Sequence, residues 1–280
     1  MDHPALEPRI LRKQDKLGID WIVFGITAVL SVAFVLWGVI STSSLSSASE
    51  SGLDWVVTNT GWLFALSSTG FVFFVIWLAA SKYGNIPLGA DGEEPEFRTI
   101  SWIAMMFSAG MGIGLMFWGA AEPLAHYLTP PPGTGEAGND SSTRTAMATT
   151  LFHWSLHPWA IYSVVALAIA YSSYRLGNKQ LLSAAFIPLI GKKRAEGPIG
   201  SVIDILAIFT TVFGTAASLG LGALQIRSGL EVNDLVTNPS QWVIVSIVAV
   251  LGLCFLVSAA SGVGKGIQYL SNFNMVLALI

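Results

Sequence analysis

The stretch Trp21–Ile40 reads WIVFGITAVLSVAFVLWGVI and contains no Asp, Glu, Lys or Arg in its twenty residues. About 20 apolar residues are enough for a helix to cross the hydrocarbon core of a bilayer. In lipid, a helix or a closed barrel satisfies every backbone N–H and C=O, and this stretch lacks the period-two alternation of barrel strands. It is therefore predicted to be a membrane-spanning helix.

Uncharged runs of this kind recur along the whole chain. Five more uncharged runs follow, at 61–81, 99–121, 145–174, 205–226 and 235–264. The runs at 145–174 and 235–264 each hold one span and a flanking loop. A further apolar stretch begins near Gly266 and continues to Ile280. Only 11% of the 280 residues are charged, whereas about a quarter is usual in soluble domains. The sequence therefore predicts an all-α polytopic membrane protein with six complete spans and a seventh that is truncated.

Lysine and arginine residues are distributed unevenly between the predicted loops. Of the 14, only Arg144 and Arg227 fall on one side of the spans. The other side carries the remaining twelve: Arg9, Arg12, Lys13, Lys16, Lys82, Arg98, Arg175, Lys179, Lys192, Lys193, Arg194 and Lys265. Because positively charged loops face the cytoplasm, the N-terminus is predicted to be cytoplasmic, with residues 41–60 and 122–144 as external loops. The apolar stretch 181–191 is too short to cross and is predicted to lie at the cytoplasmic interface.

The third predicted span contains three glycines within five residues, Gly110, Gly112 and Gly114. Each glycine in a helix interior costs about 1 kcal/mol relative to alanine, so the helix is weakened here. Two interpretations remain open. Gly110 and Gly114 form a GxxxG pair that would let two helices pack closely. Alternatively the helix is discontinuous, and its unwound carbonyls and half-helix ends bind ions and substrate near the membrane midplane.

The fourth predicted span contains the aromatic run FHWSLHPWAIY at 152–162. At about 100° per residue, Trp154, Tyr162 and Trp159 share one face of a helix that Pro158 would bend. Such rings often anchor a helix at the membrane interface. A converging set of rings also holds a quaternary ammonium group, because cation–π attraction needs no N–H donor.

Two histidines in the same run, His153 and His157, have i, i+4 spacing. This spacing suits proton carriers or metal ligands. No third ligand is evident in the sequence, so both are interpreted as structural residues.

The fifth predicted span carries a stripe of hydroxyl groups, Thr211, Thr215 and Ser218, at i, i+4 and i+7. Hydroxyls within a span often bond the carbonyl four residues earlier or a neighbouring helix. They are also ligands for a hard cation such as Na⁺, which prefers oxygen. The span has no embedded carboxylate, so an ion site here would consist of neutral oxygens.

Together these segments resemble the betaine/choline/carnitine transporter family over nearly the whole chain. The residues that carry the resemblance are 109–114 with Glu122-Pro123, 152–162, Gly214-Thr215 with 219–225, and GVGKGIQYLS at 262–271. Within that family the sequence most resembles the sodium-coupled, osmoregulated glycine betaine carriers of actinobacteria.

The resemblance implies twelve spans in a complete protein, of which ten form two inverted five-helix repeats that follow two extra helices. Residues 1–20 would then be a cytoplasmic tail, 21–98 would contain the two extra helices, and 99–280 would be the first repeat, with its last helix truncated. It also implies a homotrimer that is regulated by osmolality. Since transport requires one repeat to rock against the other, the 280-residue piece is expected to transport nothing by itself.

The resemblance also implies roles for individual residues. Trp154, Trp159 and Tyr162 would form most of an aromatic box around a trimethylammonium group. The substrate-binding residues of the unwound third span would be Gly110, Met111, Gly112 and Gly114. Two sodium sites would use backbone oxygens near Ser108 and Met111 and the hydroxyls of Thr211 and Thr215. Family members that carry choline tend to have Asp at the position of Gly114, so glycine here favours a zwitterion, glycine betaine.

The expected function is therefore sodium-coupled import of glycine betaine through the plasma membrane under osmotic stress, with Na⁺ as coupling ion and no other cofactor. A sodium-coupled ectoine or proline carrier and a proton-coupled choline carrier are the alternatives within transporters. A channel or a non-transporting solute sensor is the alternative outside them. No nucleophile, base and orienting group occur together, so an enzyme is not expected. The net charge of −3 does not indicate a nucleic-acid partner.

Overall fold

The computed structural model describes residues 18–89, 91–110, 112–237, 240–262 and 266–279, and gives the backbone but not the side chains of 113–115. Within these ranges the chain is helical and contains no strand, which confirms the all-α prediction for them. The α-helices there are α1 (Trp21–Ile40), α2 (Thr42–Ala80), α3 (Thr99–Gly110), α4 (Ile113–Leu128), α5 (Asp140–Trp154), α6 (Leu156–Ala170), α7 (Leu182–Ala185), α8 (Ile187–Ile190), α9 (Lys192–Ala195), α10 (Pro198–Val232), α11 (Gln241–Ala260) and α12 (Gln268–Leu279). A 3₁₀ turn at Lys82–Asn85 follows α2, and a π-helical turn at Tyr171–Arg175 follows α6.

The described residues form two compact units. The first comprises the residues up to Glu93 together with Phe152–Thr211. The second comprises Glu94–Leu151 together with the residues from Val212 onward. The predicted division into two extra helices and a first inverted repeat stays a prediction. Most of the predicted cytoplasmic tail, residues 1–17, lies outside the described ranges.

Helix α1 begins where the sequence predicts, immediately after Asp20. The Oδ1 atom of Asp20 accepts hydrogen bonds from the backbone N–H groups of Ile22 and Val23, at 3.0 and 3.1 Å. A carboxylate at this position satisfies two of the N–H groups that have no partner within the helix. The first predicted span therefore starts at a capped helix end.

Four helices in the described ranges are long and apolar enough to cross a membrane, namely α1, α2, α10 and α11. The predicted third and fourth spans differ from these because each is divided between two helices. The third is divided between α3 and α4, of 12 and 16 residues, and the fourth between α5 and α6, of 15 residues each. Each piece is shorter than the roughly 20 residues that a spanning helix needs. Both interrupted spans contain predicted site residues.

Residues 41–60, predicted as a loop, are almost entirely helical, so the loop prediction is wrong, whereas their external placement stays a prediction. The structure is helical from Thr42 onward, and α2 extends over 39 residues to Ala80. No proline occurs in this helix, and its many serines lower helix propensity only slightly, so nothing in the segment stops the helix. The other predicted loop, 122–144, is shorter than expected, because α4 continues to Leu128 and α5 begins at Asp140.

Small and polar side chains occupy the buried positions, whereas large apolar side chains are exposed. The buried apolar residues are mainly alanines, and the buried polar residues include Thr27, Ser68, Ser101, Ser142, Thr150, Ser172, Ser173, Ser183 and Ser271. By contrast, Trp242 and Val39 are 75% and 76% exposed. Small residues let helices approach closely in lipid, where large apolar side chains face acyl chains without cost. This distribution indicates a membrane-integral protein.

In the first unit, hydrogen bonds join segments that the charge pattern places on the same side of the membrane. The Nη1 atom of Arg175, after α6, lies 2.8 Å from a carboxylate oxygen of Asp91 and 2.8 Å from the carbonyl oxygen of Gly89. Asp204, near the start of α10, accepts hydrogen bonds from the backbone N–H and the hydroxyl of Ser183, at 3.0 and 2.7 Å. These contacts agree with the predicted alternation of loops between the two sides.

Candidate functional site

The helix of the third predicted span is interrupted at the glycine cluster. Helix α3 ends at Gly110, and α4 begins at Ile113 with Gly112 as its N-terminal cap. Gly112 has an extended backbone, with φ −107° and ψ −166°. Of the two interpretations left open by the sequence, the discontinuous helix is therefore the one observed. The GxxxG interpretation requires one continuous helix, and Gly110 and Gly114 belong to different helices.

The break leaves backbone groups without partners inside either helix. The last four carbonyls of a helix and the first four N–H groups of the next have no intrahelical partner. The carbonyl end of α3 carries partial negative charge and the N-terminal end of α4 partial positive charge. Space is available beside the break, since no described heavy atom lies within 4 Å of a Cβ placed on Gly112. Met111, predicted to bind both substrate and sodium, lies outside the described residues.

A polar contact between α3 and α12 lies next to the break, in the second unit. The Nδ2 atom of Asn274 donates a hydrogen bond to Oγ of Ser108, at 3.1 Å. The Ser108 hydroxyl in turn donates to the backbone carbonyl of Ser271, at 3.4 Å. Sequence reasoning named Ser108 but missed Asn274 and Ser271. The sequence feature that could have indicated them is the occurrence of two asparagines and a serine within the apolar stretch from Gly266 to Ile280.

The helix of the fourth predicted span is also interrupted. Helix α5 ends at Trp154, Ser155 has non-helical angles of φ −102° and ψ −117°, and α6 begins at Leu156. Pro158 explains the position of the break. Its ring nitrogen has no hydrogen to donate to the carbonyl of Trp154, and its ring would clash with that carbonyl in a continuous helix. The proline instead occupies the first turn of α6, where the missing N–H is tolerated.

Trp159 and Tyr162 face each other along α6, in the first unit. Their ring centroids are 6.1 Å apart, and the ring planes are inclined by 60°. Trp159 is 38% exposed and Tyr162 52% exposed, so neither side chain is enclosed by the described residues. The helical projection that placed Trp154 on the same face assumes one continuous helix. Because the helix breaks at Ser155, the projection applies only to Trp159 and Tyr162, and the position of Trp154 in an aromatic box stays a prediction.

The His157 ring contacts two residues of the first unit. Its Nε2 atom lies 3.3 Å from the hydroxyl oxygen of Thr69 on α2, and its ring centroid lies 4.1 Å from that of Phe152. The break at Ser155 places His153 and His157 on different helices, so they do not share a helix face at i, i+4 spacing. These contacts support the structural interpretation of His157, which connects α6 to α2.

The hydroxyl stripe lies on α10, which is continuous through it. Thr211 and Ser218 donate hydrogen bonds to the carbonyls four residues earlier, Ala207 and Gly214, at 2.7 and 3.0 Å. Thr215 is half-buried, and its hydroxyl bonds to no other residue in the described part of the chain. A hydroxyl that donates its proton keeps its lone pairs, so these bonds leave Thr211 able to coordinate a cation. The sodium role of Thr211 and Thr215 stays a prediction.

The sequence matches a family model described as betaine/carnitine/choline family transporter over residues 22–280. The chain is 46% identical to the betaine/ectoine transporter LcoP of Corynebacterium glutamicum, over 99% of this chain and 44% of that protein. It is 49% identical to the glycine betaine transporter OpuD of Bacillus subtilis, over 93% of this chain and 49% of that protein. It is 38% identical to the osmo-dependent choline transporter BetT2 of Acinetobacter baylyi, over 99% of this chain and 40% of that protein. The chain thus spans less than half the length of these three relatives.

Proposed function

This chain belongs to the betaine/carnitine/choline family of transporters, and we propose that it is the N-terminal part of a longer carrier that imports glycine betaine through the plasma membrane. The family resemblance predicted from the motifs is confirmed by the match over residues 22–280. The prediction that the chain is not an enzyme is also confirmed, because the relatives are transporters.

The interruption between Gly110 and Ile113 is the observation that carries the proposal. Unpaired backbone groups are costly inside a membrane, and an apolar helix tolerates them only where they bind a ligand or line a cavity. Discontinuous helices of this kind hold substrates and coupling ions near the midplane of secondary transporters. Here the carbonyl end of α3 suits a cation, and the space beside Gly112 suits a small solute.

Glycine betaine fits the remaining chemistry. Its trimethylammonium group has no N–H to donate, and the ring faces of Trp159 and Tyr162 can hold it by cation–π attraction without a hydrogen bond. Its own carboxylate neutralises that charge, which agrees with a neutral glycine at position 114. The names of OpuD and LcoP, which include glycine betaine and betaine, support the same substrate.

We propose Na⁺ as the coupling ion, bound at two sites that use backbone oxygens near Ser108 and Met111 and the hydroxyls of Thr211 and Thr215. Na⁺ is a hard cation that takes neutral oxygen ligands, and carbonyls at a helix C-terminus carry partial negative charge. We further propose that the full-length carrier is a homotrimer and that high osmolality activates its uptake of glycine betaine. Light scattering of the purified carrier and uptake at raised osmolality test these two parts.

Uptake of radiolabelled glycine betaine by cells that make the full-length carrier, and have no other betaine carrier, tests the function. We expect uptake in sodium medium, its loss when K⁺ replaces Na⁺, and stronger competition by unlabelled betaine than by choline or proline. Ectoine is the second candidate substrate, because the name of LcoP includes it. Stronger competition by ectoine than by betaine would select that alternative, and uptake that follows a proton gradient would reject sodium coupling.

A further inference from the structure

Helices α3 and α12 are connected by two similar pairs of side chains, one near each end of α3. Near the start of α3, Nδ2 of Asn272 lies 3.4 Å from Oγ of Ser101. Near its end, Nδ2 of Asn274 lies 3.1 Å from Oγ of Ser108. Both pairs join an asparagine of α12 to a serine of α3, and all four residues belong to the second unit. They differ in their distance from the break in the helix.

The pair near the break fixes the last turn of α3. Ser108 lies two residues before the end of α3 at Gly110, so its own carbonyl is among the last four. Its hydroxyl accepts from Asn274 and donates to the carbonyl of Ser271, which is only 5% exposed. A side chain held at both its donor and its acceptor has little rotational freedom, and the backbone that carries it is restrained as well.

Hydrogen bonds between membrane helices often do no more than hold the helices together, and they contribute about 0.6 kcal/mol on average. If that were the whole role of Asn274, the pair of Asn272 and Ser101 would perform it equally well. The geometry separates the two pairs, because only Ser108 belongs to the turn whose carbonyls have no helical partner. A change in that turn moves carbonyl oxygens that no hydrogen bond within the helix holds.

We propose that Asn274 is a positioning residue, which through Ser108 holds the terminal carbonyls of α3 in the orientation that binds the coupling cation. This inference rests on the proposed function, since it needs a cation at the end of α3. Asn274 itself does not contact the cation. Its amide fixes the serine, and the serine restrains the turn that supplies the oxygen ligands.

The test compares Asn274→Leu with the matched control Asn272→Leu in the full-length carrier, purified and reconstituted in liposomes. Leucine has nearly the shape of asparagine and no hydrogen-bond donor. The net effect of one hydrogen bond corresponds to about a 3- to 10-fold change in an equilibrium constant. We therefore expect Asn274→Leu to raise the sodium concentration for half-maximal uptake about 3- to 10-fold, with a smaller effect on maximal rate. Asn272→Leu should change it less than about twofold.

A double variant shows whether Asn274 acts through Ser108. Ser108→Ala alone should raise the half-maximal sodium concentration, and adding Asn274→Leu to it should raise it little further. Equal effects of the two asparagine variants, or full additivity of the double variant, would overturn the inference. If Asn274→Leu does not fold, Asn274→Ser replaces it in the same comparison. Wild-type uptake that does not depend on sodium would instead refute the proposed coupling ion, which is a separate result.

Discussion

Asn274 on α12 donates a hydrogen bond of 3.1 Å to Ser108 on α3, two residues before that helix ends. The two residues are 166 positions apart in the chain. The contact therefore joins α12, the last described helix, to α3, the first half of the discontinuous helix. It lies in the same unit as the break, next to the last turn of α3.

Trp159→Ala tests the aromatic part of the proposed site. A cation–π contact contributes about 0.5 to 2 kcal/mol, so the KM for glycine betaine should rise about 2- to 30-fold. Trp159→Phe keeps a ring face and should recover most of the affinity. Trp242→Ala is the control, because Trp242 is 75% exposed on α11 and should leave KM unchanged. An equal rise in KM for both alanine variants would count against a direct role of Trp159.

Gly112→Leu tests whether the space beside the break is used. Its backbone angles are ones that any residue adopts, and an added Cβ meets no described atom within 4 Å. The variant should therefore insert and fold normally but lose uptake at least about tenfold, because the side chain occupies the space of the solute. Gly119→Leu on α4 is the matched control, with similarly open surroundings. Normal uptake by Gly112→Leu, measured at equal membrane abundance, would show that the solute lies elsewhere.

Gly114→Asp tests whether an uncharged residue at position 114 selects a zwitterion as substrate. A carboxylate at this position supplies the counter-charge that choline lacks and repels the carboxylate of glycine betaine. We expect the variant to take up choline and to lose most betaine uptake, as measured with both labelled solutes. Gly114→Asn, which adds a similar volume without the charge, separates electrostatics from steric exclusion. Equal choline uptake by the two variants would refute the role of charge.

The contact of Arg175 with Asp91 and Gly89 predicts an effect on stability. The Arg175 side chain is 5% exposed, and its Nη1 atom bonds both the Asp91 carboxylate and the Gly89 carbonyl. Arg175→Met leaves the Gly89 carbonyl without its donor, at a cost of about 1–3 kcal/mol, and should lower the Tm of the purified carrier. Lys192→Met is the control, because the ion pair of Lys192 with Glu196 is exposed and contributes little. Equal Tm values for the two variants would contradict this assignment.

Much of the helical architecture follows from the sequence, because lipid leaves the backbone few alternatives. The uncharged run at 21–40 predicts α1 to the residue, and the glycines at 110–114 predict a weakened helix. The extent of α2 was not predictable from polarity, since serine and threonine are compatible with both loops and helices. Pro158 indicates a bend, but whether a helix bends or breaks depends on tertiary packing.

The contacts of the candidate site were less predictable than its helices. Ser108 is 163 residues from Ser271 and 166 residues from Asn274, and a single sequence does not show which helices pack together. Asn274 lies in an apolar stretch whose partner helix is evident only from the structure. The pairing of Trp159 with Tyr162 was predictable, because residues three apart on one helix are neighbours.

An experimental structure of the full-length carrier with bound glycine betaine and sodium would show directly where both ligands lie. We expect a helix that remains interrupted between Gly110 and Ile113, with Na⁺ on carbonyl oxygens at the end of α3. We also expect the rings of Trp159 and Tyr162 to lie within about 6 Å of the trimethylammonium group. A continuous helix through residues 108–114, with these rings turned toward the lipid headgroups, would contradict this expectation.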